Sequence, residues 1–130
     1  MQRVVWILLL LCFAVFGRDL AGKYAGDWVS DSSGAGGTMR LSLEAAGQGK
    51  WKLDVTFTIE NEDVKTVMQS VKVEGNRLEA AYDFDFAGNK LRSAISGQLN
   101  GDALTGSYKT TAVESGAPVD GGTWKASPAR

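Results

Sequence analysis

VEGNRLEAAYDFDFAGNKLRSAISGQLNGDALTGSY, residues 73–108, is the stretch that decides the fold. Leu78, Ala80, Tyr82, Phe84 and Phe86 fall on alternate positions, with Arg77, Glu79, Asp83 and Asp85 between them. A period of two is that of a β-strand with one apolar face. Three dipeptides that tolerate positive φ punctuate the stretch: Gly75-Asn76, Gly88-Asn89 and Asn100-Gly101. With Gly75-Asn76 as a two-residue turn, Val73 faces Leu78, Val71 faces Ala80, Gln69 faces Tyr82 and Val67 faces Phe84. With Gly88-Asn89 as the next, Phe86 faces Leu91, Phe84 faces Ser93, Tyr82 faces Ile95 and Ala80 faces Gly97. Asn100-Gly101 then sets Gly97 opposite Leu104, Ile95 opposite Gly106 and Ser93 opposite Tyr108. Turns chosen on local chemistry keep the apolar parity of four strands in phase. A slip of one residue in the pairing register would send a whole strand's apolar set to the wrong face.

Working outward, KWKLDVTFTIE (50–60) alternates in the same way, with Trp51, Leu53, Val55, Phe57 and Ile59 on one side. Segments near 22–31, 38–46, 64–74, 90–99, 102–112 and 119–126 fit the pattern, and no segment has a helical period. Further breaks fall at 34–37, 47–49, Asn61-Glu62-Asp63 and 115–120. The reading is an all-β domain: an eight-stranded antiparallel up-and-down meander, closed as a small β-barrel because a one-faced open sheet of that size cannot hide its apolar side. Closure sets the first strand beside the last, with Trp28 and Trp124 at the seam. Glycine precedes an aromatic residue by two in Gly22-Lys23-Tyr24, Gly26-Asp27-Trp28, Gly49-Lys50-Trp51, Gly106-Ser107-Tyr108 and Gly122-Thr123-Trp124. In a crowded small barrel such glycines leave space for a ring and let the strand coil.

The first residues read differently. Arg3 precedes an uninterrupted apolar run, VVWILLLLCFAVF (4–16), the length of a secretory h-region and short of a membrane span. Residues 1–21 are therefore expected to be a cleavable signal peptide, cut near Gly17 or, alternatively, in the Leu20-Ala21-Gly22 region. Residues 22–130 are then one exported domain, periplasmic or extracellular. Cys12, inside the h-region and preceded by Leu11, does not read as a lipid-attachment site. Beyond it the chain has neither cysteine nor histidine, which removes disulfides, Cys–His and Ser–His–Asp nucleophiles and histidine-based metal or haem sites. From Arg18 on, 13 basic and 15 acidic residues give a net charge of −2, mixed in sign along the chain. Nothing in it suggests a nucleic-acid partner, a cofactor or, once the leader is gone, a membrane.

Gly26-Asp27-Trp28 at the start of the first strand resembles the G-x-W signature of lipocalin-like (calycin) barrels. The stretches 22–39 and GDALTGSY (101–108) resemble avidin-type hairpins. The resemblance implies an exported eight-stranded barrel able to hold a small ligand, with a basic residue, Lys125 or Arg130, packed over Trp28.

The polar exceptions on the inner face are few and fall together: Gln69 opposite Tyr82, and Ser93 opposite Tyr108, beside a row of little volume formed by Ala80 and Gly97. An apolar cavity with a few convergent polar groups is how a small-molecule site looks. Buried tyrosine hydroxyls also need partners, which Gln69 and Ser93 supply equally well in a solid core. The candidate interior site is Trp28, Gln69, Tyr82, Ser93, Tyr108 and Trp124. DFDFAGN (83–89) fails as a calcium loop, since Ala87 and Ala94 stand where oxygen ligands are needed. No pair of carboxylates can be argued into general acid–base geometry from spacing alone, so no catalytic residue is assigned. Three readings follow: a non-enzymatic barrel binding a small, largely apolar ligand; a filled structural or interaction module presenting loops 31–37 and 114–121 to a protein or glycan; and an outer-membrane barrel with its apolar face toward lipid.

Overall fold

The computed structural model describes residues 20–129. The apolar run 4–16, Cys12, the Gly17 cleavage point and Arg130 lie outside them. Among the described residues there are nine strands: β1 (Gly22–Ser30), β2 (Gly36–Ala45), β3 (Trp51–Ile59), β4 (Glu62–Lys65), β5 (Val67–Glu74), β6 (Arg77–Phe86), β7 (Asn89–Asn100), β8 (Ala103–Ala112) and β9 (Pro118–Pro128). All neighbours are antiparallel, in the order β4-β3-β2-β1-β9-β8-β7-β6-β5. The result is a nearly closed barrel, and it corrects the expected fold. There are nine strands rather than eight, and the order does not follow the chain from end to end: it runs from β4 back to β1 and then from β9 back to β5, with β1 beside β9 as closure required. The eight-stranded up-and-down meander and the lipocalin-like assignment both fall with it.

The extra strand arises where one strand was expected across 64–74. The chain divides at Thr66, so that β4 pairs with β3 and β5 pairs with β6. The Thr66 hydroxyl donates to the Val55 carbonyl at 2.6 Å, tying the corner to β3. At the other seam β1 and β9 meet in register, with Trp28 opposite Trp124. Lys125 pairs with Asp27 on the exposed outer wall, so it does not pack over Trp28 as the lipocalin resemblance implied.

The alternating apolar residues point inward. Leu41, Leu43, Leu53, Val55, Leu78, Ala80, Ile95, Leu104 and Ala126 form the core with the aromatic rings, and Leu43, Leu78 and Leu104 are among the most deeply buried side chains. Outward rows such as Arg40, Ser42 and Glu44 on β2 or Lys52, Asp54 and Thr56 on β3 are polar. The outward wall is thus the polar one, the reverse of the alternation of a barrel whose apolar side faces lipid. On this wall Arg92 grips Asp83 with two hydrogen bonds, Nε to Oδ1 at 2.6 Å and Nη2 to Oδ2 at 3.0 Å. That guanidinium holds the Asp83 carboxyl below its ordinary range.

The register departs from expectation in three places. Gly75-Asn76 is a turn, with Val73 opposite Leu78 and Val71 opposite Ala80. A β-bulge between Met68 and Ser70 then sets Met68, not Gln69, opposite Tyr82, and Val67 opposite Asp83 rather than Phe84. The next two turns are Ala87-Gly88 and Gly101-Asp102, each one residue away from the expected pair. Tyr82 therefore faces Ser93, Ser93 faces Thr110, and Ile95 faces Tyr108. Moving a two-residue turn by one position changes each partner by two, so the apolar parity survives.

Because strands joined by hairpins alternate in direction and β5 continues that of β4, the connections at 31–35, 60–61, 87–88 and 113–117 share one end of the barrel, here the upper end. The lower end carries the connections at 46–50, 75–76 and 101–102 and is stoppered by Leu20, which is 2% exposed. The Tyr24 hydroxyl donates to the Leu20 carbonyl at 2.9 Å.

Candidate functional site

The alternation that makes each strand also chooses what enters the upper half of the barrel. On β1 the inward positions run Tyr24, Gly26, Trp28, Ser30; on β9 they run Asp120, Gly122, Trp124, Ala126. Gly122 admits a neighbour's ring, since a β-carbon there would lie 2.9 Å from Cε1 of Tyr108. Gly97 does the same for Trp124, whose Cζ2 would be 2.5 Å away.

A cavity of about 180 Å³ opens in this half, with Trp28, Phe57, Tyr82, Phe84, Tyr108 and Trp124 among its walls. Three of the ring pairs meet edge to face. Trp28 is perpendicular to Tyr108 and to Phe57 at centroid distances of 6.0 and 6.4 Å, and Phe57 is perpendicular to Phe84 at 5.0 Å. Such pairs add modest stability beyond area burial and fix ring positions. The indole N–H groups are occupied by the frame: Trp28 donates to the Thr58 carbonyl at 3.0 Å and Trp124 to the Ser107 carbonyl at 3.1 Å.

Polar groups enter the lining at two points. Ser93 and Thr110 share a 2.6 Å hydroxyl–hydroxyl hydrogen bond across β7 and β8. Nearer the mouth the Asp120 carboxylate accepts from the Tyr108 hydroxyl at 2.9 Å and from the Ser30 hydroxyl at 2.6 Å, with Ser32 at a longer 3.5 Å. Among the described residues no buried side-chain polar atom lacks a partner. Burial pushes the Tyr82 hydroxyl up to about 12, and the Ser93 hydroxyl opposes that shift. For Tyr108 the same direction comes first from burial and then from the hydrogen bond to the Asp120 carboxylate.

Five of the six residues singled out from sequence, Trp28, Tyr82, Ser93, Tyr108 and Trp124, line this cavity. Gln69 does not. The bulge turns it to the exposed face, and Met68 takes its place opposite Tyr82. The room is not beside Ala80 and Gly97 either, because Trp124 fills the space over Gly97 and Ala80 faces Ile95. Sequence reasoning missed Asp120, Ser30 and Thr110. The signal for Asp120 was present: it shares its parity with Trp124, the inward residue of the same strand. Among the described residues no group of three or more acidic, histidine or cysteine side chains could hold a metal ion.

No protein family matches this chain, and searches of curated proteins and of solved structures give no significant match.

Proposed function

We propose that this chain is an exported, non-enzymatic β-barrel interaction module that meets a protein partner with its upper end. The observation that carries the reading is the closed hydrogen-bond account of the interior. Ser93 with Thr110, and Tyr108 and Ser30 with Asp120, satisfy one another, so the interior polar groups need no guest. The loops 31–35 and 113–117 flank this end, where large apolar side chains stand in solvent: Val29 47%, Phe86 37%, Val113 36% and Val119 52% exposed. An apolar rim at one end is the composition of a protein contact surface rather than of a glycan site. A photo-cross-linking amino acid at Val119, compared in the native host with one at Asp102 on the lower end, tests this. A defined protein adduct from position 119 alone supports the reading; equal labelling from both ends, or none, rejects it.

A second reading rests on a different observation, the cavity of about 180 Å³ with its aromatic walls. In this reading the barrel holds a small, largely apolar molecule without transforming it. Native mass spectrometry of the protein purified from its host is the test. A co-purifying small molecule supports it, and a bare polypeptide mass counts against it.

A further inference from the structure

The cavity is apolar on nearly every side, yet one of its walls is a carboxylate. Asp120 lies in the lining with the aromatic rings, and among the described residues no lysine or arginine forms an ion pair with it. Its hydrogen-bond partners are hydroxyl donors from Ser30, Ser32 and Tyr108. Such donors orient a carboxylate without cancelling its charge. A carboxylate can accept about four hydrogen bonds. Oδ1 takes those of Ser30 and Ser32 and Oδ2 that of Tyr108, so acceptor capacity remains on Oδ2.

The surroundings discriminate further. Aromatic faces attract cations, and a cation held among rings next to a carboxylate gains from both interactions in a partly desolvated site. The upper rim adds to the same field. Within two residues of its turns lie Asp31, Glu60, Glu62, Asp63, Asp85 and Glu114, against Lys90 alone among the cations. An acidic mouth raises the local concentration of cations and repels anions. A hydrated metal ion is a poor fit, because one carboxylate among aromatic walls offers few oxygen ligands. The volume limits the guest as well. About 180 Å³ is close to the ~150 Å³ apolar cavity that accepts benzene, so the guest has about one ring or its aliphatic equivalent.

We propose that the upper cavity binds a small organic monocation, an alkyl- or arylalkyl-ammonium, with its apolar body among Phe57, Tyr82 and Phe84 and its charge toward Asp120. This rests on the ligand reading above and narrows it to a chemical class. Recognition divides between the rings, which supply affinity for any small apolar body, and Asp120, which supplies the preference for positive charge. Substitution at Asp120 therefore removes the preference and leaves the binding of neutral bodies.

Calorimetric titration at low salt with benzyltrimethylammonium, benzyl alcohol and benzoate, on wild type and Asp120→Asn, tests both levels. The expected order is the cation at least tenfold tighter than the alcohol, with benzoate weakest, and cation and alcohol converging in Asp120→Asn. Equal affinity for cation and alcohol in wild type overturns the charge preference while leaving the ligand reading standing. No binding of any of the three overturns both. A cation preference that persists in a folded Asp120→Asn protein overturns the role given to Asp120. Should that variant fail to fold, the wild-type order among the three probes still decides the class.

Discussion

The glycine-before-aromatic pattern shows at the scale of single residues what sequence can and cannot disclose. The pattern reads as space for rings, and the structure places the rings on neighbouring strands: Trp124 over Gly97, Tyr108 over Gly122, with Trp28 beside Gly37. Gly49 is the exception, a turn residue with φ of +76° and nothing near its missing β-carbon. Gly97→Ala is therefore expected to cost roughly 1–3 kcal/mol through overpacking against Trp124. Urea denaturation measures it, and the tryptophan near-ultraviolet signal should change with it. Tyr82 gives a second expectation. Its hydroxyl ionises near pH 10 in the unfolded chain and near 12 in the barrel. The unfolded state thus sheds the proton first, so this contribution is intact below about pH 10 and lost as pH rises toward 12. The loss runs at roughly 1.4 kcal/mol per pH unit. Stability measured at pH 9, 10 and 11 should fall less steeply in Tyr82→Phe than in wild type, Tyr108 supplying further slope in the same direction.

At the scale of elements, the alternation located most strands, and the failures have identifiable causes. The inward apolar residues of 64–74 stand at even positions, Val64 and Met68, and then at odd ones, Val71 and Val73, with the exposed Val67 between them masking the change in the sequence. That change of parity is the trace of the bulge between Met68 and Ser70, and reading straight through it put Gln69 inside. The division at Thr66 left no such trace, because a corner depends on which strand each half meets. It is held by the hydroxyl of Thr66 on the Val55 carbonyl, so Thr66→Val should cost about 1 kcal/mol by removing that hydrogen bond. Thermal unfolding of Thr66→Val beside Thr66→Ser, which keeps the donor, separates the hydrogen bond from the packing. The turns slipped for a chemical reason. Glycine takes the second turn position in Ala87-Gly88, where both residues have positive φ, and the first in Gly101-Asp102. These are the placements that type I′ and II′ hairpins favour. Asparagine at the flanks drew the expected turns one residue away.

For the whole molecule, the two ends of the barrel differ in kind. The lower half is filled by leucines and stoppered by Leu20; the upper half contains the cavity, the hydroxyl–carboxylate network and the exposed apolar rim. Closure between first and last strand was legible because an apolar face must be hidden somewhere. Which half is filled was not, since that depends on how ring volumes sum around the circumference. The buried Leu20 bears on the proposed export. If a leader is removed, the cut is expected before Leu20 rather than at Gly22, and N-terminal sequencing of the exported protein reads this directly. Leu20→Ala should destabilise the barrel by roughly 2–4 kcal/mol in denaturant titrations, the range for emptying a buried leucine site.

Xenon occupies apolar voids and ignores solid packing, so a crystal of the protein held under xenon pressure tests the division into a filled and a hollow half most directly. The account predicts a xenon site in contact with Phe57, Tyr82 and Phe84, and none among Leu43, Leu53, Leu78 and Leu104. An upper half that takes up no xenon, or a site among the lower leucines, would contradict it.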